Sequence, residues 1–449
     1  MSDEPKRSLA LYSYLVHRLA LLILFVALAL FGFLTIRNLI DFPVYYAAGQ
    51  SLINGRTDLY SPDFALGGVM DYRYPPFFLL AFVPLWLLPY YASAYTWYVL
   101  SVLEIIGIIS IVDWTFPAIR TSKKMLVLLI LAVAQYFVMA LHYGNVHILV
   151  TFMLFASLYL FLKNRILSAA MVLALTISIK LTPVFLLPYF ALKKQWKLLG
   201  AVVVFLVAIN LAPSAYFGFS RNNDLLATWY RHVVSSQEFH EDNGPINLSL
   251  KGQLRRYLSA VNYTQRADGD VRYPDVNLAS LSRARLVGLW MVMAAALFAG
   301  VLLIIWSRAG GSSKRNDRLD SEAGTTSDLP HEMALMICLM LMVEPLTSKI
   351  YFIALLWPVA CLASYAVVHN TQDGRLAGRT LAIVAVTNCV LPLLPGSSVQ
   401  RLLLVLGADF YVNCLVMTAL TILMISRRRA LPTQSGELQT RSRLGARTP

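Results

Sequence analysis

Charge is what this chain has little of. Only 14% of its 449 residues are Asp, Glu, Lys or Arg, while 58% are hydrophobic. The mean hydropathy is +0.62. A water-soluble domain of this size needs far more polar surface, so a polytopic membrane protein is expected. Cysteine is scarce as well. Cys338, Cys361, Cys389 and Cys414 all lie inside apolar segments, which points to small buried hydrophobes instead of disulfides or metal ligands. A P-loop, a Rossmann glycine pattern, a zinc-ligand spacing and a nucleophile elbow are all missing from plausible contexts. Nucleotide-driven transport by this chain alone is therefore not expected. No cleavable signal sequence is evident: the first apolar run is too long and lacks a small-residue cleavage site, so it is expected to stay as a helix. The excess of positive charge, +14, is spread over short loops between apolar runs. That distribution fits membrane topology and not nucleic-acid binding.

What is present is a succession of apolar runs. A helix needs about 20 apolar residues to cross the hydrocarbon core. Clear spans are 19–36, 125–141, 146–162, 198–219, 286–306, 350–368 and 402–425. The stretch 77–114 contains Pro84 and Pro89 and reads as one bent crossing. Segments 166–179 and 181–192 are too short to cross and meet at Lys180-Leu-Thr-Pro183; 333–349, with Glu344-Pro345, and 380–395 are short too. The fold class expected is an all-α polytopic membrane protein, a bundle of about 12 transmembrane helices.

A cytoplasmic N-terminus (1–18) puts the short basic connections inside, among them Arg120–Lys124, Lys163 with Arg165, Lys193 to Lys197 and Arg375 with Arg379. The membrane domain is then 19–425, with a cytoplasmic linker over 307–330 and a disordered cytoplasmic tail over 426–449. Outer loops fall at about 37–76, 142–145, 220–285 and 344–349. A plasma-membrane location with both termini cytoplasmic follows.

Asp41 is the first polar residue of weight after a long charge-free run, and it opens a loop crowded with Tyr45, Tyr46, Tyr60, Tyr72 and Tyr74. Such a carboxylate reads either as a general base or as a cap on the helix that Pro43 begins. The segment 43–53 reads as an interfacial helix with Val44, Ala47, Ala48 and Leu52 facing lipid. Lys180, in a turn between two short helices, is expected to pair with an anion such as a phosphate or to snorkel. His142 and Asn145 occupy a polar turn beside the first loop, while His147 reads as structural. Arg73 is a candidate phosphate or sugar contact or a headgroup anchor. Glu344 and Lys349 are expected to form an ion pair. Asn247, Ser249, Lys251, Arg255 and Arg256 read either as an acceptor site or as a solvated amphipathic face. Glu104 and Asp409 are expected to face the bundle interior.

Five elements in order carry a resemblance: Asp41 with Tyr45-Tyr46, Gly55 with Leu59-Tyr60, Tyr74-Pro75-Pro76, Gly144-Asn145 and Ile179-Lys180-Leu-Thr-Pro183. Asn247-Leu-Ser249 followed by Arg255 matches more loosely. The pattern resembles the polyprenol-phosphate-mannose-dependent α-mannosyltransferases of the GT-C superfamily, once catalogued as a domain of unknown function, over about 41–358. The chain departs from that pattern twice. Gly144-Asn145 stands where Gly-Gln is common, and Thr347-Ser-Lys-Ile350 stands where Ser-Trp-x-His is common.

The resemblance implies a catalytic acid in the first outer loop, here Asp41, a polyprenyl-monophosphate sugar as donor and an inverting transfer to a glycolipid or glycan acceptor. Lys180, Arg73, Tyr45, Tyr46, His142, Asn145, Lys349 and Asn247 would then contact substrate. A monophosphate leaving group needs less charge neutralisation than a pyrophosphate, so no metal and no other cofactor is expected. A lipid-linked-sugar flippase and a surface-polysaccharide polymerase or ligase are the rival readings; the first would show inverted repeats.

Overall fold

A computed structural model describes residues 26–66, 70–231, 246–260, 276–312, 328–390 and 397–429. The expectations for 1–25, for most of the linker over 307–330 and for the tail after Arg429 lie outside these residues. The described chain is all-helical, 81% helix with no strand. Six helices are long and apolar enough to cross a membrane, or seven if a bent pair counts as one span. Four shorter apolar helices accompany them.

The bent pair comes first. Helix α1 (Val26–Asn38) and α2 (Phe42–Ile53) meet at 61° around Leu39, Ile40 and Asp41. Pro43 suits the first turn of α2. The face of α2 expected to meet lipid instead packs inward: Val44, Ala48 and Leu52 are buried, and Phe42 lies among the rings of Tyr46, Trp86, Tyr90 and Trp97. An aromatic loop offered that face a better partner than the bilayer edge.

The stretch 77–114 breaks near both of its prolines into the turns Pro76–Ala81 and Val83–Trp86, followed by one long helix, α3 (Tyr90–Thr115). Then come α4 (Lys123–Tyr143), α5 (His147–Leu162) and α6 (Ile166–Ile179). A 3-10 turn (Thr182–Phe185) leads into α7 (Leu186–Leu192) and α8 (Trp196–Leu211). The long loop holds α9 (Phe219–Trp229) and α10 (Leu250–Leu258), before the span α11 (Arg283–Ser312).

The C-terminal half begins with α12 (Leu329–Val343), all but sealed within the bundle. A 3-10 turn (Lys349–Leu355) runs into α13 (Leu356–Val368). Helix α14 (Gln372–Ala385) starts earlier than the apolar run suggested and ends in a π-helical turn, Val386–Val390. The run 402–425 is not one helix. Gly407, at φ +78°, divides α15 (Ser397–Leu406) from α16 (Ala408–Arg429), a backbone state that costs glycine little.

Connections alternate between two ends of the bundle. At one end lie Asp41, the turn 144–146, Lys180, Glu344 and the start of α16. The other end carries Arg120, Lys123, Lys124, Lys163, Arg165, Lys193, Lys194, Arg375 and Arg379 in its short connections. There Glu332, nearly inaccessible, accepts from Tyr189 (2.9 Å) and Lys193 (2.7 Å), so its charge is paired. Cys338 and Cys361 are buried thiols, and all four cysteines are free.

Candidate active site

Helices that break in the middle of an apolar bundle leave backbone ends and polar side chains at one depth. Four such interruptions meet here. The α1–α2 break is pinned to the end of α4 by two hydrogen bonds, from the Ile40 N–H (3.2 Å) and the Asp41 N–H (2.9 Å) to the Tyr143 carbonyl. Gly144 makes that approach possible: its φ is +63°, and a Cβ there would stand 2.9 Å from the Phe42 Cβ. The indole of Trp97 clamps the same turn by donating to the Gly144 carbonyl at 3.0 Å.

Asp41 occupies the N-cap of α2, yet its carboxylate makes no capping hydrogen bond. Oδ2 instead accepts from Asn145 Nδ2 at 2.6 Å. No described residue donates to Oδ1, so one oxygen is held and the other is available. Because the carboxylate must receive the Asn145 NH₂, the Asn145 Oδ1 faces the other way. It accepts from the His147 N–H (2.8 Å) and lies hydrogen-bonded to His147 Nδ1. The far nitrogen, Nε2, is 2.5 Å from Lys180 Nζ. Donor logic then fixes a neutral imidazole with its proton on Nδ1.

Lys180 ends the series at Glu344 Oε1, 3.6 Å away. Thr182 donates to that same oxygen at 2.6 Å. The Tyr351 ring completes the enclosure: it stacks on His147 with centroids 3.7 Å apart, and Lys180 Nζ lies 3.1 Å from its centroid, a cation–π contact. Glu344 Oε2 is buried and receives no hydrogen bond from the described residues. A run of donors thus points from Lys180 through His147 and Asn145 to Asp41.

Asp41 lies outside both flanking helices. Burial raises its pKa above the ordinary 3.8, against the opposing pull of the Asn145 amide and of Arg73. Arg73 is exposed beside it, its backbone carbonyl held by Trp229 at 3.1 Å. Further along the loop, Arg56 and Ser61 clamp Asp58 and hold its pKa down to about 2.

The remaining candidates separate. Tyr45 is buried near Asp41, with its hydroxyl 3.0 Å from that of Tyr74. Tyr46 turns away and donates to the Leu88 carbonyl at 2.9 Å. His142 sits on the last turn of α4 against Tyr143 and makes no hydrogen bond or ion pair with the Asp41 chain. Asn247 spends its amide on the 345–347 turn: Nδ2 donates to the Pro345 carbonyl, and Oδ1 accepts from the Thr347 N–H. Lys349 does not pair with Glu344. It lies 4.0 Å from Asp409, and Lys180 takes its place at Glu344. Arg256 does not lie on a solvated face; it is fully buried and donates to the Asn247 and Leu404 carbonyls. Asp409 faces the interior as expected and accepts from Tyr136 at 2.8 Å, whereas Glu104 is only half-buried.

His147, read as structural from the sequence, is the central link. Its signal was a histidine opening an otherwise apolar helix, two residues after Asn145. Tyr351 had no signal at all. Among the described residues no group of three His, Cys, Asp or Glu side chains has the spacing of a metal site.

Comparison with known proteins adds one match. The model of Glycosyltransferase family 87 matches residues 72–327. No curated protein and no solved structure matches the chain.

Proposed function

The chain belongs to glycosyltransferase family 87, and on that premise we propose that it moves a sugar, mannose by resemblance, from a polyprenyl-monophosphate donor to a glycolipid or glycan acceptor. The reaction takes place at the end of the bundle that holds Asp41, the non-cytoplasmic side on the distribution of basic residues. The observation that carries this reading is the polar chain Asp41–Asn145–His147–Lys180–Glu344, which leaves one Asp41 oxygen without a donor.

Asp41 Oδ1 takes the proton from the acceptor hydroxyl as that oxygen attacks the anomeric carbon. The bond from the anomeric carbon to the phosphate oxygen breaks on the opposite face, and its electron pair leaves with the lipid phosphate. Configuration inverts. Arg73, exposed at the mouth, meets the departing charge. Lys180 works from behind, orienting Asp41 through His147 and Asn145, because its ammonium is already encircled by His147, Glu344 and Tyr351.

Purified protein incubated with polyprenyl-phosphate mannose, polyprenyl-phosphate arabinofuranose and a candidate acceptor extract should give a product whose mass reports one transferred sugar. Asp41→Asn should give none at equal expression. Transfer at the wild-type rate in that variant would remove Asp41 from the role of base.

A further inference from the structure

Lys349 and Tyr351 lie two residues apart on the same 3-10 turn. At three residues per turn they project about 120° apart. Tyr351 closes the Asp41 chain, and Lys349 enters a different space. That space is a cavity of about 180 Å³ whose polar lining is Gln135, Lys349, Thr387, Asn388, Gln400 and Asp409. All but Gln135 lie beyond the segment that the family match covers.

Several features mark the cavity as built to hold something. Thr387 and Asn388 reach it from the π-helical turn, a widened backbone that is frequent at functional sites. Asp409 is fixed from below by the Tyr136 hydroxyl, which occupies Oδ1 and leaves Oδ2 toward the cavity. Lys349 Nζ stands 4.0 Å from that oxygen, too far for a hydrogen bond. One hydroxyl placed about 2.8 Å from each would accept from the ammonium and donate to the carboxylate. The side-chain amides of Gln135, Asn388 and Gln400 also line the cavity, that of Asn388 steadied by donating to the Ala132 carbonyl at 2.6 Å. One cation and one anion cancel, so the lining has no net preference for a phosphate. A neutral group rich in hydroxyls satisfies it best.

We propose that this cavity is a carbohydrate subsite that holds a neutral sugar of the acceptor, away from the reacting hydroxyl. The assignment to the acceptor rests on the transferase reading above; the sugar-binding chemistry does not. The long loop supports the arrangement, since Arg256 and Tyr257 of α10 bond to the Leu404 and Leu406 carbonyls of α15 and tie that loop to the cavity wall. The 3-10 turn then forms a common partition between subsite and reaction centre.

The test uses the full chain in lipid nanodiscs, free of sugar-headed detergent. Saturation-transfer NMR follows the methyl glycosides of α-mannose, α-glucose and α-arabinofuranose, with inorganic phosphate as competitor. At least one glycoside should bind. Asp409→Asn should weaken it about tenfold, roughly the value of one charge-assisted hydrogen bond. Gln400→Ala should weaken it several-fold, while Asp41→Asn should leave it within about twofold. Gln400 is exposed, so its variant keeps the test valid if Asp409→Asn, which also loosens Tyr136, does not fold. With an active acceptor, Gln400→Ala should raise the acceptor KM and not the donor KM. The proposal is overturned if no glycoside binds, if neither cavity variant weakens binding, if phosphate displaces the glycoside, or if the donor KM rises instead. Absence of transfer by the wild-type chain would sink the transferase reading alone and leave the binding result standing.

Discussion

Two lysine–carboxylate pairs flank the 3-10 turn Lys349–Leu355, and they are built differently. Lys180 and Glu344 are 3.6 Å apart with 15% and 12% of their side chains exposed. Thr182, His147 and Tyr351 close around them. Lys349 and Asp409 are 4.0 Å apart, with 26% and 7% exposed, and beside them is a cavity. Protein groups close in the first pair, with the buried Glu344 Oε2 left without a donor among the described residues, so it can orient but is shut off from a ligand. The second keeps capacity in reserve. In an apolar bundle, a charge that is fully enclosed holds structure, while one left beside empty space can bind.

The largest effect separating the two belongs to the chain that ends at the closed pair. Asp41→Asn should lower transfer by about 10²–10⁴-fold, the span of a lost general base, with thermal unfolding unchanged. An equally large loss from Lys349→Ala would erase the distinction between catalytic and binding sides.

Stability sharpens it next. Lys180→Ala leaves Glu344 enclosed without its cation and should cost about 3–5 kcal/mol, read as a lower melting temperature in nanodiscs. Pairing it with Glu344→Gln should recover part of the loss, because the stranded charge is then removed.

Asn145→Ala tests the link between the pair and the base. The Asn145 amide lowers the Asp41 pKa that burial raises. Without it that pKa climbs further, and a base must be ionised to work. The acid limb of kcat/KM against pH should therefore move to higher pH, with a loss of about tenfold at neutral pH. An acid limb left in place would show that Asp41 does not set it.

The smallest effect is Lys349→Ala on stability, about 1 kcal/mol or less, since its ion pair is long and partly exposed and Asp409 keeps its Tyr136 hydroxyl. A loss as large as that of Lys180→Ala would mean that both pairs are structural.

Much of the candidate site's polar cluster could be read from the sequence because polar residues stand out against apolar runs. Asp41, Asn145 and Lys180 each interrupt such a run, and all three joined the chain. Partner choice could not be read. Glu344 lies five residues from Lys349 in sequence, and local proximity suggested that pair. The cation actually held is 164 positions away, delivered by the short α6 and the 3-10 turn that follows it. His147 was underweighted for the same reason: its three partners come from other elements or from a turn whose shape depends on Gly144. Arg256 looked like part of a solvated stripe on α10, yet α15 folds over it.

The sequence by itself determined that this chain is helical, lies in a membrane and breaks its helices at Asp41, Gly144, Lys180 and Glu344. Those facts follow from hydropathy, from backbone hydrogen bonds that must be satisfied in lipid, and from the cost of charge there. Only the tertiary structure decided which helices are central. Arg283–Ser307 is the more apolar span, but only 11% of its 18-residue apolar stretch is buried, against 78% for Lys349–Val368. Lipid tails are as apolar as leucine, so hydrophobicity cannot choose between the bilayer and a neighbouring helix. Packing makes that choice, and with it decides which lysine is enclosed behind Asp41 and which one opens onto a cavity.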